Sequence, residues 1–116
     1  MKVQKVFDLV AGIVARSSTD PQVVLEKKDR CATSLGMNVD DEGTQVLYET
    51  VYGASDKLDA LDLLGTLREN YTKEREREKA EMVIESDEEK VYTADFEVKY
   101  ENGRIVIYEL PNAKAW

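Results

Sequence analysis

The sequence contains no histidine and a single cysteine, Cys31, in 116 residues. Without histidine it offers no Ser-His-Asp or Cys-His unit for nucleophilic catalysis and no imidazole to ligate a metal. One cysteine can close no internal disulfide and can form no thiolate zinc site, so nothing in the chain marks an oxidising compartment. Positive charge is also scarce: 16 Lys plus Arg stand against 24 Asp plus Glu, a formal charge of -8. Affinity for phosphates depends on Lys and Arg releasing condensed counterions, so direct nucleic-acid binding is not expected. Uninterrupted apolar runs are missing too. The opening MKVQKVFDLVAGIVAR is broken by Asp8 and lacks the apolar core of a signal peptide. It reads as a helix of a cytoplasmic protein with no membrane partner.

What the chain does contain suits one packed domain over residues 1–116. Its hydrophobic content of 42% is enough for a core, and its charged content of 34% stays short of disorder. Val3, Val6, Phe7, Val10, Ile13 and Val14 recur at three- and four-residue spacing, which predicts a core-facing amphipathic helix. Asp20-Pro21 then resembles a helix start, with Asp20 accepting from orphan amides and Pro21 at the first helical position. The second helix is expected to run through Val24, Leu25, Lys28, Cys31, Ala32 and Leu35, with Cys31 on its core face, and to stop at Gly36. The segment from Thr44 to Gly53 is short and rich in Val and Tyr, so the helical and extended readings stay open. Ser55 suits the N-cap of a long helix whose apolar face is Leu58, Leu61, Leu63, Leu64, Leu67 and Tyr71. The charged run TKEREREK at 72–79 continues it as a solvated extension.

The last third changes period. Tyr92, Ala94, Phe96, Val98 and Tyr100 alternate with polar residues, as in a half-buried strand. Asn102-Gly103 is a two-residue turn that pairs Glu101 with Arg104, Tyr100 with Ile105 and Val98 with Ile107. Met82–Glu85 supplies a third strand. The expected fold class is α+β, with N-terminal amphipathic helices and one long central helix packed on a C-terminal three-stranded antiparallel meander. The helical part spans about 1–79, the sheet about 80–110 and a short tail 111–116. No internal repeat is apparent.

Three patterns bear on chemistry. Asn38, Asp40, Glu42, Gly43 and Glu49 fall at positions one, three, five, six and twelve of a loop that resembles an EF-hand. Asn at the first position, Glu at the fifth and Gln45 at the eighth depart from that pattern. Asp87 followed by Glu97-Val98-Lys99 superficially resembles the D…ExK arrangement of the PD-(D/E)xK nucleases, which would imply metal-dependent phosphodiester cleavage. Asp87 there lacks the preceding proline, and Glu97 and Lys99 are what strand alternation places toward solvent. No phosphate loop or dinucleotide fingerprint is present. The reading is therefore of a protein that is not an enzyme and needs no cofactor.

The third pattern is the placement of acid. Residues 31–62 hold seven acids against Lys57, and residues 81–101 hold eight against Lys90 and Lys99, so each block carries -6 while the remaining segments are weakly basic. Asp56, Asp59 and Asp62 recur every third residue and form one expected contact ridge; Asp87, Glu88 and Glu89 crowd a turn and form the second. Such blocks suit a basic protein partner, because complementary potential raises the on-rate and selects the partner. Extended basic surfaces are commonest on nucleic-acid-binding proteins and nucleases. In size and charge the chain is similar to small acidic inhibitors, among them DNA mimics, phage anti-CRISPR proteins and nuclease immunity proteins, a likeness of functional class with no shared motif. Tyr108 and Trp116 are candidate aromatic anchors. Val106, Tyr108 and Leu110 share the second face of the hairpin, which either another element covers or a homo-oligomer contact uses.

Overall fold

The computed structural model describes residues 1–27, 30–50, 57–85 and 92–110. Val3–Ser17 forms α1, with Val3, Val6, Val10 and Ile13 buried. Spacing by three and four returns these side chains to one side of a 3.6-residue repeat, which is why the stripe faces the core. Ser18 ends the helix in the left-handed region and donates its amide to the Val14 carbonyl at 2.9 Å.

The expected second helix is replaced by three strands: β1 (Gln22–Glu26), β2 (Cys31–Ala32) and β3 (Leu35–Val39). Val23, Val24 and Leu25 are all fully buried. A surface helix turns successive residues about 100° apart and exposes some of them, whereas a strand covered on both faces buries every one. After an acidic turn the chain forms β4 (Gln45–Glu49), so the ambiguous segment is extended over those residues, while residues 51–53 lie outside the described ones. β5 (Leu58–Asp59) precedes α2 (Ala60–Asn70), and the helix therefore starts later than a Ser55 cap implies. Tyr71, at φ -132°, interrupts the expected long helix, and the charged run forms a separate α3 (Glu74–Lys79). Glu76 starts it by accepting the Lys73 backbone amide at 2.8 Å.

The remaining strands are β6 (Met82–Glu85), β7 (Tyr92–Thr93), β8 (Phe96–Glu101) and β9 (Arg104–Glu109). The β8–β9 hairpin has the register read from its turn, Glu101 opposite Arg104 and Val98 opposite Ile107. Asn102 and Gly103 sit at φ 53° and 76°, as a two-residue hairpin turn demands. The three-stranded meander, however, does not form. β6 and β8 belong to different sheets, because the chain crosses from one to the other at Ala94 and Asp95. The first sheet has the order β2-β1-β9-β8 with β5 added on β1, and the second has the order β3-β4-β6-β7. Parallel pairs, β1 with β9 and β4 with β6, join antiparallel hairpins at the centre of each.

The plan of the two sheets is the same, which corrects the expectation of no repeat. Residues 1–50 run helix, hairpin β1–β2, hairpin β3–β4; residues 58–110 run helices, hairpin β6–β7, hairpin β8–β9. Each sheet takes the first hairpin of one half and the second hairpin of the other. Inward-facing Val23, Leu25, Ile105 and Ile107 of the first sheet and Leu47, Met82 and Ile84 of the second share one hydrophobic core with α1 and α2. Among the described residues no helix is long and apolar enough to cross a membrane.

Candidate partner-binding surface

The most exposed large apolar side chain described is Leu61, at 54%. It lies in the first turn of α2, whose buried stripe is Ala60, Leu63, Leu64 and Leu67. Leu61 lies about 100° around the helix from Ala60, off that stripe, so it does not join the apolar face expected of it. Asp59 and Asp62 flank it. Asp59 is half-buried in β5, paired with Gln22 of β1, and Asp62 is exposed on α2. The expected ridge is thus carried by a strand and a helix in succession, and Asp56 lies outside the described residues.

A third carboxylate comes from far away in sequence. Asp20 accepts the Leu61 backbone amide at 2.8 Å, while Asp59 makes no capping bond with its side chain. Asp20 therefore does satisfy an orphan helix amide, as its sequence context suggested, but that of α2 rather than of a helix following it. Pro21 assists, its carbonyl accepting the Ala60 amide at 2.9 Å. The result is one exposed leucine that stands between Asp59 and Asp62 in the chain and whose amide Asp20 accepts. The role of Asp20 depends on what packs across the N-terminus of α2, and Leu61 fits an apolar stripe with Leu58 and Leu64 that is broken because Leu58 belongs to β5 and not to the helix.

Of the second expected contact group, Asp87, Glu88 and Glu89 lie outside the described residues, as does Trp116. Tyr108 is half-buried on the outer face of the first sheet. Its hydroxyl donates to the Glu101 carboxylate, and the Lys99 ammonium lies 5.4 Å from the ring centroid. Donation to Glu101 favours the protonated phenol and pushes its pKa up. Val106, on the same face, is only 4% exposed. The hairpin's second face is therefore not an open apolar patch at Val106.

The metal patterns are not assembled. Residues 40–44 make a hairpin turn in which the Asp40 carboxylate accepts the amides of Glu42 and Thr44, both at 2.9 Å. Asn38 is exposed on β3, Glu42 is exposed in the turn, and Glu49 at the far end of β4 pairs with Arg30 and, at 3.8 Å, with Lys27. Among the described residues no three Asp, Glu or Cys side chains are grouped to hold a metal ion. Glu97 and Lys99 are exposed on β8 and pair with each other at 3.4 Å; Asp87 lies outside the described residues. Cys31 is exposed on β2, not on a helix core face. Partial burial of its sulfur and the neighbouring Glu26 raise the thiol pKa, the opposite of thiolate activation. A notch of about 120 Å³ between Ile13, Arg16, Ser17 and Tyr100 is below the roughly 300–1,000 Å³ of a typical ligand site.

No family model matches the chain, and no curated protein or solved structure matches it.

Proposed function

We propose that this chain is a non-catalytic, cytoplasmic acidic binding protein that neutralises a nucleic-acid-binding protein or nuclease by occupying its basic surface, as DNA mimics, anti-CRISPR proteins and nuclease immunity proteins do. The observation that carries the reading is Leu61, 54% exposed, which stands between Asp59 and Asp62 in the chain and whose amide Asp20 accepts. Carboxylates steer a basic surface into place, and a central apolar side chain supplies contact that desolvation makes durable. Asp87, Glu88 and Glu89 form the second contact in this reading.

The test is direct binding to a panel of basic nucleic-acid-binding proteins and nucleases, with each partner's nucleic-acid binding or cleavage measured in the presence and absence of the chain. Affinity should fall as salt rises. Asp59→Lys with Asp62→Lys should slow association, and Leu61→Ser should speed dissociation, with circular dichroism unchanged. Reversal of Asp87, Glu88 and Glu89 should weaken the same complex. Failure to bind any member of the panel, or binding indifferent to all of these changes, overturns the proposal.

A further inference from the structure

The two halves repeat one another in details that chain tracing alone would not require. Lys2 bridges Glu81 and the Val3 amide donates to the Ala80 carbonyl at 2.9 Å; Asp59 pairs with Gln22 and the Ala60 amide donates to the Pro21 carbonyl at 2.9 Å. So each helix begins by pairing at the start of the other half's first strand, α1 with Glu81 just before β6 and α2 with Gln22 of β1. The second hairpins close alike: the Thr50 amide donates to Ser34 at 3.0 Å and the Leu110 amide to Asp95 at 3.1 Å. Their registers agree, with Leu35 opposite Glu49 and Phe96 opposite Glu109. Once aligned this way, the last strands read QVLYE at 45–49 and IVIYE at 105–109, and the first strands read VVLE at 23–26 and MVIE at 82–85.

We infer that the chain is a tandem of two copies of one unit, a helix followed by two hairpins, to which the second half adds β5 and α3, and that a second copy of the chain can supply either half, so that two chains exchange halves once closure within one chain is prevented. Each half alone leaves both of its hairpins without the parallel strand that completes a sheet. β1 meets β9 and β4 meets β6 only across the halves. Exchange between two chains restores every one of these pairings and changes only the connection through residues 50–57. Within one chain that connection keeps the partner half at a high effective concentration, which favours the monomer. Exchanging an identical element between protomers is a low-cost route to a dimer once closure within the chain is prevented.

The connection can be shortened to decide the point. Thr50 bonds Ser34 at the end of the second sheet, whereas Leu58 pairs with Val23 of the first. A chain lacking residues 51–56 keeps only Lys57 between Thr50 and Leu58, a reach of about 7.6 Å. Refolded from denaturant and analysed by light scattering and circular dichroism, it should be a dimer with the parent's far-UV spectrum. A monomer with that spectrum overturns the inference. If the shortened chain does not fold, full-length chains decide instead. Leu25→Asp in one chain and Leu67→Asp in another each unfold their own chain; co-refolding should recover about half of the parent's signal, because exchange unites the two intact halves. No gain over the separate chains overturns the inference.

Discussion

Gly36 faces the ring of Tyr48 across the β3–β4 hairpin so closely that a Cβ on Gly36 would stand 2.5 Å from Tyr48 Cζ. The corresponding pair of the other hairpin is Glu97 and Tyr108, where the strand carries a full side chain and the tyrosine bonds Glu101 instead. Gly36→Ala must push the Tyr48 ring from its place, at a cost of about 1–2 kcal/mol typical of overpacking. In a Tyr48→Ala background the same change should cost close to nothing. A double-mutant cycle by urea unfolding measures the difference, expected near 1 kcal/mol.

Among the described residues Gln45 is the polar side chain in the core, fully buried. It donates to the Asn38 carbonyl at 3.0 Å and accepts from the Asn70 amide at 2.8 Å. Its counterpart in the other half is Ile105, which needs no such partners. Gln45→Leu keeps the volume and removes the buried amide, and the groups it leaves belong to exposed Asn38 and Asn70, which water reaches, so stability should fall by about 1 kcal/mol or less. Asn70→Ala should cost more, roughly 1–3 kcal/mol, because it leaves the fully buried Gln45 Oε1 without a donor. Denaturant midpoints of the two variants give the comparison.

Glu81 ties the start of the chain to the second sheet, 3.0 Å from Lys2 and 3.4 Å from the α-amino group. The hydrogen bond from Lys2 is the chief reason its carboxyl titrates below the ordinary glutamate value. A lowered folded pKa contributes stability that is complete above the unfolded carboxylate range and disappears as pH falls through the folded value. The pair is partly exposed, so Glu81→Gln should cost only about 0.5 kcal/mol at pH 7. Parent and variant should converge once Glu81 is protonated, which urea midpoints across acid pH will show.

Equivalence of the halves also predicts tolerance to reordering. A chain opened between Asp56 and Lys57, with Trp116 joined to Met1, would connect Leu110 to Met1 through residues 111–116. That is close to the length of 51–57, which connect Thr50 to Leu58. Loop-closure entropy changes by well under about 1 kcal/mol for connections so similar. The permuted chain should fold as a monomer within about 1–2 kcal/mol of the parent, allowing up to about 1 kcal/mol more for altered bonding at Met1. A chain that fails to acquire the parent's circular dichroism would show the halves are not interchangeable in order.

The sequence alone determined the features that depend on near neighbours. The stripe of α1 follows from spacing by three and four, and the β8–β9 register follows from Asn102 and Gly103, the residues that accept positive φ. The separation of acid into two blocks is likewise a property of the linear chain. Strand character in β1 was hidden for a physical reason: Val23, Val24 and Leu25 are covered on both faces, so the run shows no alternation, and its apolar spacing can be fitted to a helix. The tertiary structure decided everything that joins distant segments. It paired β1 with β9 and β4 with β6, sent β6 and β8 to different sheets, and turned Asp20 into the cap of α2. It also started α2 at Ala60 and left Leu61, off the buried stripe, in solvent. Parallel partners and remote caps are chosen by which buried surfaces and orphan amides meet once the chain collapses, and residue spacing along the chain does not encode that meeting.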